Sequence, residues 1–398
     1  MREHTSVEDL VPLASAWTAL ALESGVPGIF GTFEWTETWW RCAPPASRRV
    51  MVLSVWHDGR IACVAPLMAC RRWFGPLPVS AVEFVSTWKY AGSAASVLGS
   101  MDIIVDPAHR DGAFEALLHY IEGKKWDLLR LHPVREDSLS LDPLGRWGES
   151  RGRSAVRTRV FENAVLRAGG GEEGFRTHLS PKFKARLRQA GEKLGRRGAV
   201  DFVELTAPAD VPGAFGRIVD IEKRSWKWEK GIAITSAAYG DFFPGIALAA
   251  AQKGWLRLAF LRLDGREIAY ALMVFAGVTA TFLKTGYDDA HDDCSPGSLL
   301  MNWMFDRRAR EGARRIDMFS GDWGYKQRWQ AVPEAHCEIQ VFSAGLYGRL
   351  LRFLYWDLRL YGKGRTPVLL LKRVLRKCGI PWRRSELTRS DQLNERAR

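Results

Sequence analysis

Between Trp255 and Asp289 the apolar residues run in three successive strand-like stretches, and beyond them the apolar period changes. WLRLAFLRL (Trp255–Leu263), IAYALMVFAG (Ile268–Gly277) and TATFLKTGYDD (Thr279–Asp289) read as strands. The first two are joined by Asp264-Gly265, whose residues tolerate the positive φ of a tight hairpin. After Ser295-Pro296-Gly297-Ser298 the apolar residues Leu299, Leu300, Trp303 and Met304 recur at helical spacing. Ser295 suits an N-cap, Pro296 the first turn, and Gly312 the stop. IDMFSG (Ile316–Gly321) then reads as a fourth strand. This order predicts a strand–loop–helix junction with free backbone amides at the helix start, a place that can hold a phosphate or pyrophosphate.

The same pattern recurs upstream. Helices are expected over 7–24 and Phe33–Cys42, and Met51–Trp56, Asp58-Gly59 and Ile61–Ala69 read as a hairpin. A helix at Gly112–Gly123 precedes a strand at Leu128–His132. Asp58-Gly59-Arg60-Ile61-Ala62 echoes Asp264-Gly265-Arg266-Glu267-Ile268-Ala269, so the chain reads as two diverged copies of one β-β-α-β unit. Pro107-Ala108-His109-Arg110 stands in the first copy where the second has its serine–proline–glycine loop, which makes the first copy a scaffold or an acceptor wall. Gly169-Gly170-Gly171 marks a flexible turn between the copies. Phe183, Leu187, Ala190 and Leu194 then give one apolar helix face within Arg176–Arg197, which holds eight Lys/Arg and one Glu. That basic surface is either a solvated face or a wall attracting an anion. A strand at Ala199–Leu205 and helices at Pro212–Trp228 and Ala237–Gln252 lead back to Trp255.

Length and composition fit this picture. The 398 residues suffice for two or three domains, with an ordinary globular balance of 46% hydrophobic and 26% charged residues. No apolar run reaches the roughly 18 residues of a membrane span, and MREHTSVEDL lacks a signal-peptide core. Six cysteines without a CxxC spacing point to a reduced, cytoplasmic chain and no metal site. The net charge of +13 is concentrated at the end, where 346–398 hold 14 Lys/Arg and 4 Asp/Glu. Arg349–Gly362 and Val368–Gly379 fit an interfacial helix on an anionic membrane, and equally helices packed on the first domain with snorkelling arginines. Leu387–Arg398 reads as disordered.

FGTFEWTETWW (Phe30–Trp40), Ala65–Leu67, LSPKFKARLRQAGEKLGRRG (Leu179–Gly198), LKTGYDD (Leu283–Asp289), SPGSLL (Ser295–Leu300) and GDWGYKQRW (Gly321–Trp329) together resemble the CelD/BioF-like acetyltransferases of the GNAT superfamily. The resemblance implies an α/β fold of tandem GNAT-like units, each a mixed, mainly antiparallel sheet flanked by helices. Its divisions would be a degenerate unit over 1–155, an acyltransferase unit over 156–345 and a basic helical extension over 346–398. The implied activity is transfer of an acyl group from acetyl-CoA or another acyl-CoA to an amine, with an amino sugar or envelope precursor as acceptor. Cys294, Ser295, Pro296, Gly297, Ser298 and Leu299 would hold the cofactor, although this loop departs from the superfamily's Gln/Arg-x-x-Gly-x-Gly/Ala pattern.

GYKQRW is similar to the Phe-Lys segment of FemABX transferases, so Lys326, beside Tyr325, inherits a role on the reacting acyl group. Asp288 is a candidate base or a turn former, and Asp317 and Asp322 flank the fourth strand as partners for Lys326 or as bases. Lys284 and Tyr287 fall on opposite faces of a regular strand, unless a bulge near Gly286 turns both inward. Trp226 is expected in a core or cleft wall. Two other readings fit the same residues: FemABX-like transfer from aminoacyl-tRNA, suited to the basic surfaces, and an inactive binding module at the inner membrane face.

Overall fold

Eleven strands of the computed structural model pair into one continuous sheet among the described residues, which are 1–42, 48–74, 77–86, 99–169, 174–234, 241–319 and 323–354. Their spatial order is Val200–Leu205, Leu256–Leu263, Arg266–Ala276, Thr279–Tyr287, Arg315–Asp317, Ser154–Arg167, Val332–Phe342, Leu128–Arg135, Leu77–Phe84, Leu67–Phe74 and Arg48–Val50. Two neighbouring pairs are parallel, Thr279–Tyr287 with Arg315–Asp317 and Leu77–Phe84 with Leu128–Arg135. A helix connects each pair, Pro296–Arg310 in the second half and Arg110–Glu122 in the first. The chain is thus a tandem, mainly antiparallel α/β fold. Val332–Phe342 lies antiparallel to both Ser154–Arg167 and Leu128–Arg135, so the last strand joins one half to the other.

The first half differs from its sequence reading. Ile61–Ala69 is not one strand. Arg60–Ala65 pairs with Val52–His57 in a separate four-stranded sheet that also holds Arg2–His4 and Ile104–Val105, and Leu67–Phe74 enters the large sheet. Pro66, with no N–H to donate, sits at the break. The true counterpart of the second half's parallel pair includes Leu77–Phe84, a strand the repeat comparison did not contain.

Period-2 alternation sorts the second half's core. Tyr270, Leu272 and Val274 bury with Ile218, Ile221, Phe243 and Ile246, on the side of the helices Val211–Glu222 and Phe242–Gln252. Ala269, Ala271 and Met273 bury with Phe183, Leu187, Leu300 and Met304, on the side of Pro181–Gly195 and Pro296–Arg310. Each large side chain buried this way contributes about 1.5–3 kcal/mol. Pro181–Gly195 is the helix the apolar spacing predicts, with Ser180 capping it by accepting from the Phe183 N–H. No helix among the described residues is long and apolar enough to cross a membrane. The expectations for 355–398 and for Gly170 and Gly171 lie outside the described residues.

The halves touch at Gly28, whose φ is +69° and where a Cβ would lie 2.5 Å from Thr281 Oγ1. Gly28→Ala therefore meets both backbone strain and a clash. Gly25→Ala, at φ +81° with nothing within 4 Å, meets strain alone, about 1 kcal/mol. Chemical denaturation should show Gly28→Ala losing clearly more stability than Gly25→Ala; equal losses would contradict the packing of this loop on Thr281.

Candidate active site

The parallel strands of the second half pair only briefly, through Thr279↔Arg315, Ala280↔Ile316 and Thr281↔Asp317. Beyond that point the first strand runs on to Tyr287, while the other chain keeps its opposite neighbour. Met318 N donates to Ala164 O at 2.8 Å, and Ala164 N to Phe319 O at 3.1 Å. The two strands therefore part.

Asp317, fully buried, accounts for the parting. Its Oδ1 accepts from Phe319 N at 2.9 Å and its Oδ2 from Arg315 at 3.2 Å, with Asn163 Nδ2 at 3.5 Å. The short loop it closes sets Phe319 in the left-handed region, φ 60°. Lys326, also buried, donates from Nζ to Phe319 O at 2.8 Å and so holds the same turn. Phe30 of the first half packs edge-on against Phe319 at 5.2 Å. Tyr325 is half-buried against the second core, and Asp322 lies outside the described residues.

Lys284 and Tyr287 occupy opposite faces of their strand. The expected bulge exists but falls earlier: register slips where Leu272 and Met273 face Lys284 and Phe282, leaving Leu283 as the extra residue. From Lys284 onward alternation is regular. Tyr287 faces the helix Pro296–Arg310, its ring within 3.2 Å of where a Cβ on Gly297 would stand and its hydroxyl donating to Asp292 at 2.8 Å. Burial, reinforced by Asp292, pushes its pKa up to about 12. That phenol is no base near neutrality.

Lys284 is half-buried on the other face, its Nζ 5.2 Å from the Phe243 ring centroid. Burial, and after it the charge of Lys227, pushes its pKa down to about 7, against the opposing pull of Glu222. Lys227 donates to the Thr285 carbonyl, and burial lowers its pKa too. Glu222 is buried and already engaged, accepting from Tyr270 and from Ile234 N. An amine that titrates near pH 7 is about half neutral there and can take a proton from an incoming ammonium. Glu222, Lys227 and Tyr270 were absent from the sequence reading; they lie 14 to 62 residues from Lys284, with no local motif linking them.

The helix start differs from its expectation. Ser295 makes no side-chain cap and sits at φ 48°. Its carbonyl takes the Ser298 and Leu299 amides at 3.0 and 3.2 Å, and its own N–H goes to Asp292 O. Pro296 has no N–H and Cys294 is buried, so among the described residues Gly297 offers the start's one amide without a backbone acceptor. Asp293 stands beside it, held by Lys193 and Arg197 at 2.6 Å each, which keep its carboxyl down at about 2. The full amide cradle for a pyrophosphate is not formed. Asp288 is spent as well, capping Ala290 N at 3.1 Å and pairing with Arg224 at 2.5 Å. Trp226 is 38% exposed, its N–H held by Asp289 at 2.6 Å. No group of three metal-ligating side chains occurs among the described residues.

The lysine pair generates a pH prediction. Competitive acetylation with acetic anhydride should give Lys284 a midpoint near 7, and Lys227→Met should raise it by removing the nearest like charge. Because the folded value lies below the ordinary 10.5, the unfolded chain binds the extra proton between the two, and this lysine's contribution to stability rises with pH across that window. A midpoint near 10.5 would contradict the site.

Residues 181–327 match the family described as acetyltransferase (GNAT) domain. No curated protein matches the chain by sequence. Among solved structures, FemX is 14% identical, with 89% of this chain and 100% of that one covered at a TM-score of 0.59. A conserved protein of unknown function from Bacteroides thetaiotaomicron is 13% identical over 83% and 97%, at 0.54. The C-terminal domain of a putative lysylphosphatidylglycerol synthetase from Agrobacterium fabrum is 13% identical over 87% and 96%, at 0.50. At these identities the likeness is one of fold. The chain thus contains an acetyltransferase (GNAT) domain and is, by that domain, an enzyme of the N-acyltransferase type.

Proposed function

We propose that the chain transfers an acyl group from an acyl-CoA thioester directly to a primary amine, in the gap where Thr279–Tyr287 leaves Arg315–Asp317. The parting of these strands beside Lys284 carries this reading. Past the end of that pairing, backbone groups of Phe282–Tyr287 other than the Thr285 carbonyl, which Lys227 holds, would meet an amide-bearing arm, as sheet edges meet added strands. The acceptor nitrogen attacks the thioester carbonyl, the C–S bond breaks, and the nitrogen's proton passes to the neutral form of Lys284 and from it to the departing thiolate, which leaves as the thiol. Gly297 N–H, with Lys193 and Arg197 across Asp293, would meet the donor's phosphates. Lys326 acts here by holding the Phe319 turn at the mouth of the gap. The CelD/BioF-like resemblance supports an amino sugar or an exopolysaccharide or envelope precursor as acceptor.

A specific observation favours a second reading, transfer from aminoacyl-tRNA. The helix start offers one amide instead of a cradle, and the basic helix Pro181–Gly195 ends beside it in an architecture similar to FemX. A polyanionic donor would be met by that helix.

Calorimetry with acetyl-CoA and longer acyl-CoAs separates the two. Saturable binding is expected; no binding, together with salt-sensitive binding of charged tRNA, would replace the first reading with the second. Lys284→Met should lower turnover about 100-fold or more while leaving the fold at least as stable, because it removes a charge that burial penalises. Unchanged turnover would take Lys284 out of the mechanism.

A further inference from the structure

The first half contains a cavity that the transfer reaction does not use. It lies between the loop 24–27, the segment 102–105 and the turn 135–140, and its volume is about 180 Å³. Sites for whole drug-sized ligands run to roughly 300–1,000 Å³, so this one suits a single small group. Asp102 lines it, with Ile103 N and Ser140 Oγ both donating to Oδ1, at 2.8 and 2.5 Å. Burial pushes the Asp102 carboxyl above the usual carboxylate range, against the hydrogen bonds from Ser138, Ser140 and Ile103. Arg135 is the cation among the described lining residues, and two carboxylates already share its charge. It donates to Asp137 at 2.5 Å, and its Nε stands 3.4 Å from Glu334. The serine hydrogens are committed as well. Ser140 gives its own to Asp102, and Ser24 gives its own to the Ala21 carbonyl at 3.1 Å. Ser138 bonds the same carboxylate while its oxygen accepts from Ser140 N at 3.0 Å. The polar part of this lining therefore offers mainly acceptors.

We propose that this cavity binds the ammonium group of a small primary alkylamine. An ammonium brings three donors and no acceptor, which matches serine oxygens and a carboxylate. Asp102 and Asp137 outnumber Arg135, so the lining carries a negative formal charge in a chain of +13, and an anion is disfavoured there. A cation leaving water needs a counter-charge, and Asp102 supplies it. Val26, Ile103 and Leu139 give the hydrocarbon stem an apolar wall. None of the lining residues belongs to the strands of the gap, so this is a second site. Its link to them is electrostatic: Arg135 meets Glu334, and Arg315 joins Glu334 to Asp317.

Calorimetry of the full chain at pH 7 with butylammonium chloride tests this, with butan-1-ol and sodium butyrate as the neutral and anionic counterparts. The ammonium should bind saturably, and each counterpart at least about tenfold more weakly. Asp102→Asn, shown to be folded by its thermal transition, should weaken the ammonium at least about tenfold, the loss of one hydrogen bond to a charged group. Leu139→Arg changes a lining residue that is 46% exposed, so the fold is kept, and the added charge should weaken binding too. Absence of saturable binding to the wild-type chain overturns the proposal, and so does equal binding of butan-1-ol. Undiminished binding by either folded variant, as expected if the amine sat in the strand gap alone, overturns it as well. No acyl donor is present in these measurements, so they leave the transferase reading to its own experiment.

Discussion

One buried carboxylate sets the geometry on which the site depends. Asp317 accepts the amide hydrogen two residues ahead of it, and that closure ends the pairing between two parallel strands after three residues. Had Met318 and Phe319 continued the ladder, the parallel pairing would have run on toward Tyr287. Instead the chain stays with Ser154–Arg167 on one side, and Lys326 fastens Phe319 from behind. Lys284, whose charge burial disfavours, lies on the strand past this end of pairing, where the proposed donor would bind.

The carboxylate is itself fixed by a chain of charges that crosses between the halves. Arg315 pairs with Asp317 at 3.2 Å and reaches both oxygens of Glu334, at 2.7 and 2.6 Å; Glu334 also meets Arg135 at 3.4 Å. Glu334 sits on the last strand, between a strand of each half. Buried pairs of this kind add little net stability against an apolar replacement, but breaking one leaves an uncompensated charge. They tie the closing strand to Arg315 on one side and Arg135 on the other. The first half, without its own loop chemistry, thereby serves the second by holding the strand end and by placing Gly28 and Phe30 against Thr281 and Phe319.

Local pattern made much of the second half legible. Asp264-Gly265 turns at φ 50° and 79°, and Phe183, Leu187, Ala190 and Leu194 do form a buried helix face. What escaped the sequence is what long-range contact decides. Nothing around Ser295 shows that its carbonyl would absorb the next amides, or that Asp288 would be claimed by Arg224 from 64 residues away. Lys284 was visible as a candidate, but its depressed pKa comes from burial and from Lys227, and neither can be seen in LKTGYDD. The first half was harder to read because Pro66 diverts one strand into another sheet, and alternation alone does not reveal that. The expectation of open amides at the serine–proline–glycine loop reduces to Gly297, and the parted strands carry the functional argument instead.

The most direct test is a crystal structure of the chain with a non-hydrolysable thioether analogue of acetyl-CoA. The analogue's arm should lie along Phe282–Tyr287, with its acyl carbon on the Lys284 side of the sheet. An arm bound elsewhere on the surface, with the gap unchanged or filled by protein, would contradict it.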